Sequence, residues 1–184
     1  VSVDDRGNTG TDPGLTGDGT SEIDSATFDI TVPAVNDAPT ITPPGAQTAV
    51  EDDAAGVTFG NIGFGDVDAV AGTDVLTVTL SVANGTVTLS AAAVTSIGAG
   101  NVTNNDTGTV TVTGTLNQLN AAINAANSVT YVANANFAGA DPMTITINDG
   151  GATGGDPTSF GLPGTGTGTT EEGTATVAIN VTAV

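Results

Sequence analysis

A segment at the start of the chain recurs near its end, and this internal repeat limits how the chain can be divided into domains. Residues 1–13 (VSVDDRGNTGTDP) match residues 145–157 (ITINDGGATGGDP) at an offset of 144. Residues 26–35 (ATFDITVPAV) match residues 175–184 (ATVAINVTAV) at an offset of 149, so the intervening loop differs by five residues. We therefore expect one complete repeat at residues 36–184. Residues 1–35, termed the leader, are expected to be the closing hairpin of a preceding repeat or a donor segment.

The charged residues exclude several classes of function. The chain has 20 acidic residues and a single basic one, Arg6, which gives a formal net charge of −19, and it contains no His, Cys or Lys. It therefore cannot supply a His-dependent nucleophile, a Schiff-base amine, a structural zinc site or a disulfide. Nucleic-acid binding needs clustered basic residues that this chain lacks. We expect neither an enzyme nor a nucleic-acid partner; carboxylate-pair glycoside hydrolysis is permitted, but the scarcity of aromatic residues argues against it.

Alternating β-branched residues predict an all-β fold. The chain has 34 Thr and 26 Gly, and several segments alternate apolar and polar residues, as strands do when one face is buried. The Asn84-Gly85 pair between two such segments predicts a hairpin. Pro43 and Pro44 limit residues 41–50 to an edge or irregular strand. The predicted strands are residues 57–62, 75–82, 86–90, 109–113 (ended by Gly114), 129–132, 143–147 and 176–181.

One segment has a helical period instead. Leu116, Leu119 and Ile123 fall on one face of residues 115–127, and Thr115 with Gln118 matches a capping box. This predicts one short helix inserted into a β-sandwich of seven or more strands. Residues 149–173 are rich in Gly, Thr, Asp and Pro, which predicts a mobile or ion-ordered loop. No apolar run reaches the length of a membrane span, and no basic segment followed by an apolar stretch opens the sequence, so we expect neither a membrane span nor a signal peptide.

Several motifs, taken in order, resemble a known family of repeats. They are VNDAPT (residues 35–40), Glu51-Asp52, GDVDA (65–69), SVTYVANANFAG (128–139) and ITINDG (145–150). This order is similar to the cadherin-like and Ig-like tandem repeats of giant bacterial surface proteins, including RTX-type adhesins and biofilm matrix proteins. The resemblance covers essentially the whole chain. It implies a Greek-key β-sandwich in a tandem or head-to-tail array, with Ca²⁺ bound near the domain junctions.

The acidic residues offer the oxygen ligands that Ca²⁺ prefers. Asp66 and Asp68 flank Val67 in an extended segment, so both carboxylates point the same way. We expect Asp37, Glu51, Asp66 and Asp68 to be ligands at a domain junction. Asp149 and its repeat counterpart Asp5 are expected to contribute from the end of the preceding domain, and Asn36 to add its carbonyl. The alternative for each is a solvated acidic turn, the expected state of Asp52, Asp53, Asp74, Asp141 and the loop acids Asp12, Asp18, Glu22, Asp24, Glu171 and Glu172.

The sequence thus predicts a structural repeat of an extracellular bacterial fibre, adhesin or biofilm matrix protein. Its expected location is secreted or on the cell surface, and its expected partners are neighbouring repeats or identical subunits joined head to tail. Two alternatives stay open. One is an adhesin module that binds a glycan or a cell surface, and the other is a filament subunit that polymerises by β-strand complementation.

Overall fold

The computed structural model describes residues 1–4, 6, 23–151, 154–166 and 169–184. The chain forms two compact units, Val1–Pro33 and Ala34–Val184, and we term the second the repeat domain. Strands predominate in several sheets, which confirms the all-β class. The strands are β1 (Ser2–Asp4), β2 (Ile23–Ser25), β3 (Thr40–Thr42), β4 (Gln47–Val50), β5 (Val57–Phe59), β6 (Gly63–Gly65), β7 (Val75–Ser81), β8 (Gly85–Leu89), β9 (Val102–Thr103), β10 (Thr109–Thr115), β11 (Val129–Ala133), β12 (Gly139–Ala140), β13 (Met143–Asn148), β14 (Glu172–Val177) and β15 (Ile179–Thr182).

The first unit is an antiparallel hairpin of β1 and β2. Ser2 lies opposite Ser25, and Asp4 lies opposite Ile23. The ladder continues for one more position, because Ala26 and Val1 exchange hydrogen bonds between their backbone groups. The described residues of this unit whose exposure is resolved are all exposed to solvent.

The repeat domain is built on a five-stranded sheet of order β14-β13-β7-β10-β9, in which every pairing is antiparallel. Two three-stranded sheets, β5-β11-β8 and β12-β15-β4, and the pair β3-β6 complete the domain. In the second of these three-stranded sheets, β15 and β4 run parallel.

The alternating pattern places an aliphatic core inside the domain. Leu76, Val78 and Leu80 of β7 are fully buried, whereas the residues between them are half-buried. Strands β8, β10, β11 and β13 show the same alternation. All these inward-facing side chains belong to one hydrophobic cluster that also includes residues of two helices. Burial of each Val, Leu or Ile contributes about 1.5–3 kcal/mol.

The described residues contain two α-helices, α1 (Ala91–Ile97) and α2 (Leu116–Ile123), so the expectation of a single helix is wrong. Helix α2 has the predicted capping box between Thr115 and Gln118. Helix α1 follows Ser90, whose side chain accepts a hydrogen bond from the backbone N–H of Ala93. A Ser cap followed by three alanines, the strongest helix formers, explains this helix. Gly114 does not end its strand, because β10 continues to Thr115 opposite β7.

The hairpin predicted at Asn84-Gly85 is also wrong, because β7 and β8 lie in different sheets. The backbone N–H groups of Ala83 and Asn84 donate to the buried carboxylate of Asp141, at 3.0 and 2.9 Å. Gly85 packs so closely on Tyr131 that a Cβ would overlap its ring. The glycine therefore serves close packing where the chain crosses between sheets, whereas the prediction had assigned it to a tight turn.

The last predicted strand, residues 176–181, is divided into two. Strand β14 starts earlier, at Glu172, and pairs with β13, whereas β15 begins after Ala178 and pairs with β4 and β12. The loop before β14 is also more structured than expected. It contains a 3₁₀ turn at Pro157–Phe160, and the side chains of Asp149, Pro157 and Glu171 are buried.

Buried Tyr131 provides a spectroscopic test of this packing. Its hydroxyl donates to Asp141 at 2.8 Å, and burial, followed by this hydrogen bond and the charge of Asp141, raises the pKa of Tyr131 above its ordinary value of 10.0. Because folding favours the protonated phenol, its stabilisation is complete below pH 10 and is lost at higher pH. We expect phenolate absorbance to appear only as the circular dichroism of the sheets is lost. Tyr131 is the only tyrosine, so phenolate formation in folded protein near pH 10 would contradict the packing.

The matched variant is Tyr131→Phe. It removes the hydroxyl but leaves Asp141 its two backbone donors. We expect it to lower the free energy of unfolding by about 1 kcal/mol at neutral pH. Because the titrating group is gone, the unfolding midpoint on the alkaline side should move to higher pH.

Candidate functional site

Two of the predicted ligands, Asn36 and Glu51, lie in a run of the repeat domain in which residues 36–51 follow residues 169–182 in the same direction. Near its start the side chain of Asn36 donates to the carbonyl of Thr169, and near its end the backbone N–H of Glu51 donates to the carbonyl of Thr182. A largely extended chain of this length spans roughly 40 Å. Asn36 and Glu51 therefore lie at opposite ends of the domain.

Residues 34–37, termed the linker, are hydrogen-bonded to the loop of residues 149–171, termed the long loop. Val35 forms a parallel bridge with Gly155. The N–H of Asn36 donates to the carbonyl of Gly155 at 3.1 Å, and the N–H of Gly155 donates to that of Ala34 at 2.9 Å. At Gly154, with φ of +143°, a Cβ would overlap the backbone of Val35 and Asn36. This close packing requires glycine at position 154, and it fixes the direction in which the linker runs along the long loop.

The side chain of Asn36 completes this attachment. It is 1% exposed, and its Nδ2 donates to Asp149 Oδ2 at 2.5 Å and to the carbonyl of Thr169 at 2.6 Å. Its Oδ1 is buried and has no hydrogen-bond partner. A buried carbonyl oxygen without a donor is costly, so this atom is suited to a cation or a donor from outside the domain.

Two buried carboxylates lie beside Asn36. Asp149 Oδ1 accepts from the N–H groups of Gly151 and Glu171, at 2.8 and 2.9 Å. Glu171 Oε2 accepts from the N–H and hydroxyl of Thr165, at 2.5 and 2.7 Å. At 3% exposure, Glu171 is not the solvated loop acid that was expected. The repeat could have revealed it, since TGDGTSE (residues 16–22) and TGTGTTE (165–171) share Thr, Gly and Glu at an offset of 149.

A second acidic group forms a turn after β6. Asp66 Oδ1 accepts from the N–H groups of Asp68 and Ala69, at 2.8 and 3.0 Å, and Asp68 Oδ2 accepts from the N–H of Asp37 at 2.6 Å. Asp66 Oδ2 is buried and lacks a hydrogen-bond partner. The structure therefore places the backbone of Asp37 beside the Asp66–Asp68 turn. Val67, between Asp66 and Asp68, is 83% exposed, because this segment forms a turn, whereas an extended segment was expected from the sequence.

The other two predicted ligands are placed differently. Glu51 Oε1 accepts from the N–H of Val184 at 3.0 Å, at the C-terminal end of the domain, away from the Asp66–Asp68 turn. Asp5 lies outside the described residues. Asp141, expected to be an ordinary acid, is a buried structural carboxylate that binds two backbone N–H groups and Tyr131.

A cavity of about 320 Å³ opens between the linker and the long loop. Its polar wall consists of Asn36, Asp37, Thr165 and Glu171, and its apolar wall of Val35, Ala38, Pro157, Leu162 and Pro163. Among the described residues that line the cavity there is no aromatic ring, whereas flat sugar faces are commonly bound on such rings.

The fit of a Ca²⁺ ion can be judged from these atoms. Asn36 Oδ1 and Asp66 Oδ2 are the buried side-chain oxygens of the described residues that have no hydrogen-bond partner, and both are of the hard type that Ca²⁺ binds. Among the same residues, no group of three or more acidic side chains converges on one point. The donor chemistry fits Ca²⁺, but a full set of six to eight oxygens needs carbonyls, water or a neighbouring domain.

Comparison of the chain with protein-family models, with curated proteins and with solved structures finds no match. Within the described residues, no helix has the length and apolar character needed to cross a membrane.

The attachment of the linker can be tested with Asn36→Ala. This change leaves Asp149 Oδ2 and the carbonyl of Thr169 without their amide donor, so we expect the free energy of unfolding to fall by about 2–4 kcal/mol. Denaturant unfolding in chelator measures it. Asn117→Ala is the control, since Asn117 is exposed on α2, and should change stability by less than about 0.5 kcal/mol. Equal effects of the two variants would contradict the role of Asn36.

Proposed function

We propose that this chain is part of a tandem array of cadherin-like Greek-key domains that acts as a spacer in an extracellular bacterial fibre, adhesin or biofilm matrix. In this proposal the domain catalyses no reaction. Its task is to span distance and hold its shape, and divalent cations at the domain junctions stiffen the array.

The observation that carries the proposal is the agreement between the sequence repeat and the strand register. In β1 and β2, Ser2 lies opposite Ser25. An offset of 144 relates Ser2 to Thr146, an offset of 149 relates Ser25 to Thr174, and these two counterparts also lie opposite each other, in β13 and β14. The same offsets relate the pair Asp4 and Ile23 to the pair Asn148 and Glu172. The chain thus contains two hairpins of the same register, one that precedes the repeat domain in sequence and one near the end of that domain, as expected of repeats in series.

The charge of the chain supports a role for cations. With 20 acidic residues against one basic residue, ion pairs cannot neutralise the carboxylates. Two like charges about 4 Å apart repel by roughly 1 kcal/mol in water and about 4 kcal/mol at an effective dielectric of 20. A cation that binds only the folded state at a hundred times its dissociation constant adds about 2.7 kcal/mol.

Residues at the N-terminal end of the domain would hold the ion. Asp66 would contribute its free Oδ2, and Asp68 and Asp37 are adjacent through the hydrogen bond from the Asp37 N–H to Asp68. Asn36 would contribute Oδ1. Glu51, at the other end, would face the next repeat in the array. Val184, whose N–H donates to Glu51, corresponds to Val35, so in a tandem array a counterpart of the Asn36-Asp37 pair would follow Val184. Bound Ca²⁺ would supply a shared positive charge that holds these oxygens together.

A ligand-binding adhesin module is the second candidate. The cavity between the linker and the long loop supports it, because buried Glu171 and Asn36 could orient a polar ligand there. The lack of an aromatic ring in the cavity wall makes this the weaker proposal for a glycan. Loss of glycan binding on deletion of part of the long loop would favour it.

The spacer proposal is tested on a two-repeat protein, residues 1–184 followed directly by a second copy of residues 36–184. We expect Ca²⁺ to raise its melting temperature and to increase its maximum dimension in small-angle X-ray scattering, because the junction stiffens. The double variant Asp66→Asn, Asp68→Asn in both repeats should lose most of both responses.

The control for that experiment is Asp53→Asn. Asp53 also accepts a backbone hydrogen bond in a turn, from Ala55 at 2.9 Å, but it lies outside the predicted ligand set. The control should respond to Ca²⁺ as the parent does. If Ca²⁺ and chelator give the same melting temperature and dimensions for the parent, the cation-stiffened spacer is wrong.

A further inference from the structure

The leader hairpin exposes apolar side chains at the positions that the repeat domain buries. Val1, Val3, Phe28, Ile30 and Val32 are 66–84% exposed. Their counterparts at offsets of 144 and 149 are Ile145, Ile147, Val177, Ile179 and Val181, none of which is more than 2% exposed. The leader therefore carries the inward face of a closing hairpin without the core that such a face covers.

The two strands of the leader are already in the register needed for that role. Val1 is opposite Ala26, as Ile145 is opposite Ala175, and the next three pairs also correspond. The two hairpins differ in what their apolar face contacts. The face of β13 and β14 is buried against the core, whereas the corresponding face of the leader is exposed to solvent. In the repeat domain the edge of β13 opposite to β14 pairs with β7, where Thr144 lies opposite Ser81 and Asn148 opposite Thr77. Strand β15 pairs in parallel with β4 from Ile179 opposite Gln47 to Thr182 opposite Val50.

We infer that the leader binds a repeat body, a chain with the pattern of residues 36–144 that has no closing hairpin of its own. The leader strand β1 pairs with the β7 edge of that body, and residues 30–33 pair with its β4 edge. An intact repeat domain is not this partner, because its β7 is already bordered by β10 and β13 and its β4 by β15. The inference rests on the tandem-repeat part of the proposed function and is independent of cations.

One position of the leader departs from the pattern and sharpens the test. At Gly173, a Cβ would overlap the carbonyl oxygen of Pro39, and the corresponding leader residue is Asp24. A body with the sequence of residues 36–144 brings its own Pro39 to this place. Asp24→Gly should therefore tighten the association of the leader with this body.

The experiment places a copy of residues 36–144 directly before Val1 of the full chain, in chelator. We expect the amides of residues 1–4 and 26–32 to exchange hydrogen about a hundredfold more slowly than in the unextended chain. The added body brings a second Tyr131, and both tyrosines should resist alkaline ionisation until unfolding. Asp24→Gly should slow the exchange further.

Phe28→Asp with Ile30→Asp is the matched variant. In the unextended chain both side chains are exposed, so the melting temperature of the repeat domain should not change. In the extended chain the variant should abolish the protection of the leader and expose the added tyrosine, while the original repeat domain remains protected. Leader amides that exchange equally fast with and without the added body, in both the parent and the Asp24→Gly form, overturn the inference. The leader experiment is done in chelator, so its outcome does not depend on whether Ca²⁺ stiffens the two-repeat protein.

Discussion

The fold depends on satisfying buried carboxylates without basic side chains. Asp141, Asp149 and Glu171 are almost fully buried, and the whole chain contains a single basic residue. Each carboxylate instead accepts hydrogen bonds from backbone N–H groups or hydroxyls. Such bonds to a charged acceptor contribute about 1.5–3 kcal/mol each and fix the backbone that donates them. Asp141 thereby fixes the crossing between sheets, and Asp149 and Glu171 fix the long loop against the linker.

This constraint explains which features could be predicted from the sequence. The strands with strict alternation, such as β7 and β10, and the capped helix α2 were found because their signals are local. Asn84-Gly85 has the local signature of a hairpin, but the carboxylate of Asp141, which accepts from the N–H groups of Ala83 and Asn84, and the ring of Tyr131 decide its conformation. Both lie far away in sequence. Similarly, the division between β14 and β15 depends on β4, a partner more than a hundred residues away.

Most members of the candidate site could be predicted from its acidic motifs, but their arrangement in the domain could not. The linker pair Asn36-Asp37 and the Asp66–Asp68 turn lie together at one end of the domain, whereas Glu51 lies at the other. No period or spacing in the sequence distinguishes those two ends, because the parallel run of residues 36–51 along residues 169–182 is a tertiary arrangement. The burial of Glu171 was missed because glycine-rich composition suggests solvation, although its hydrogen bonds to Thr165 remove it from water.

The parallel pairing of β4 with β15 has a mechanical consequence. Ala34, near Asn36, and Val184, near Glu51, lie at opposite ends of the repeat domain, and β4 and β15 run parallel side by side. Tension applied through these two points would pull the neighbouring strands in opposite directions along their length. Their ladder of hydrogen bonds would then carry the load in shear, with all bonds strained together, and rupture would require breaking them at once rather than unzipping them one by one.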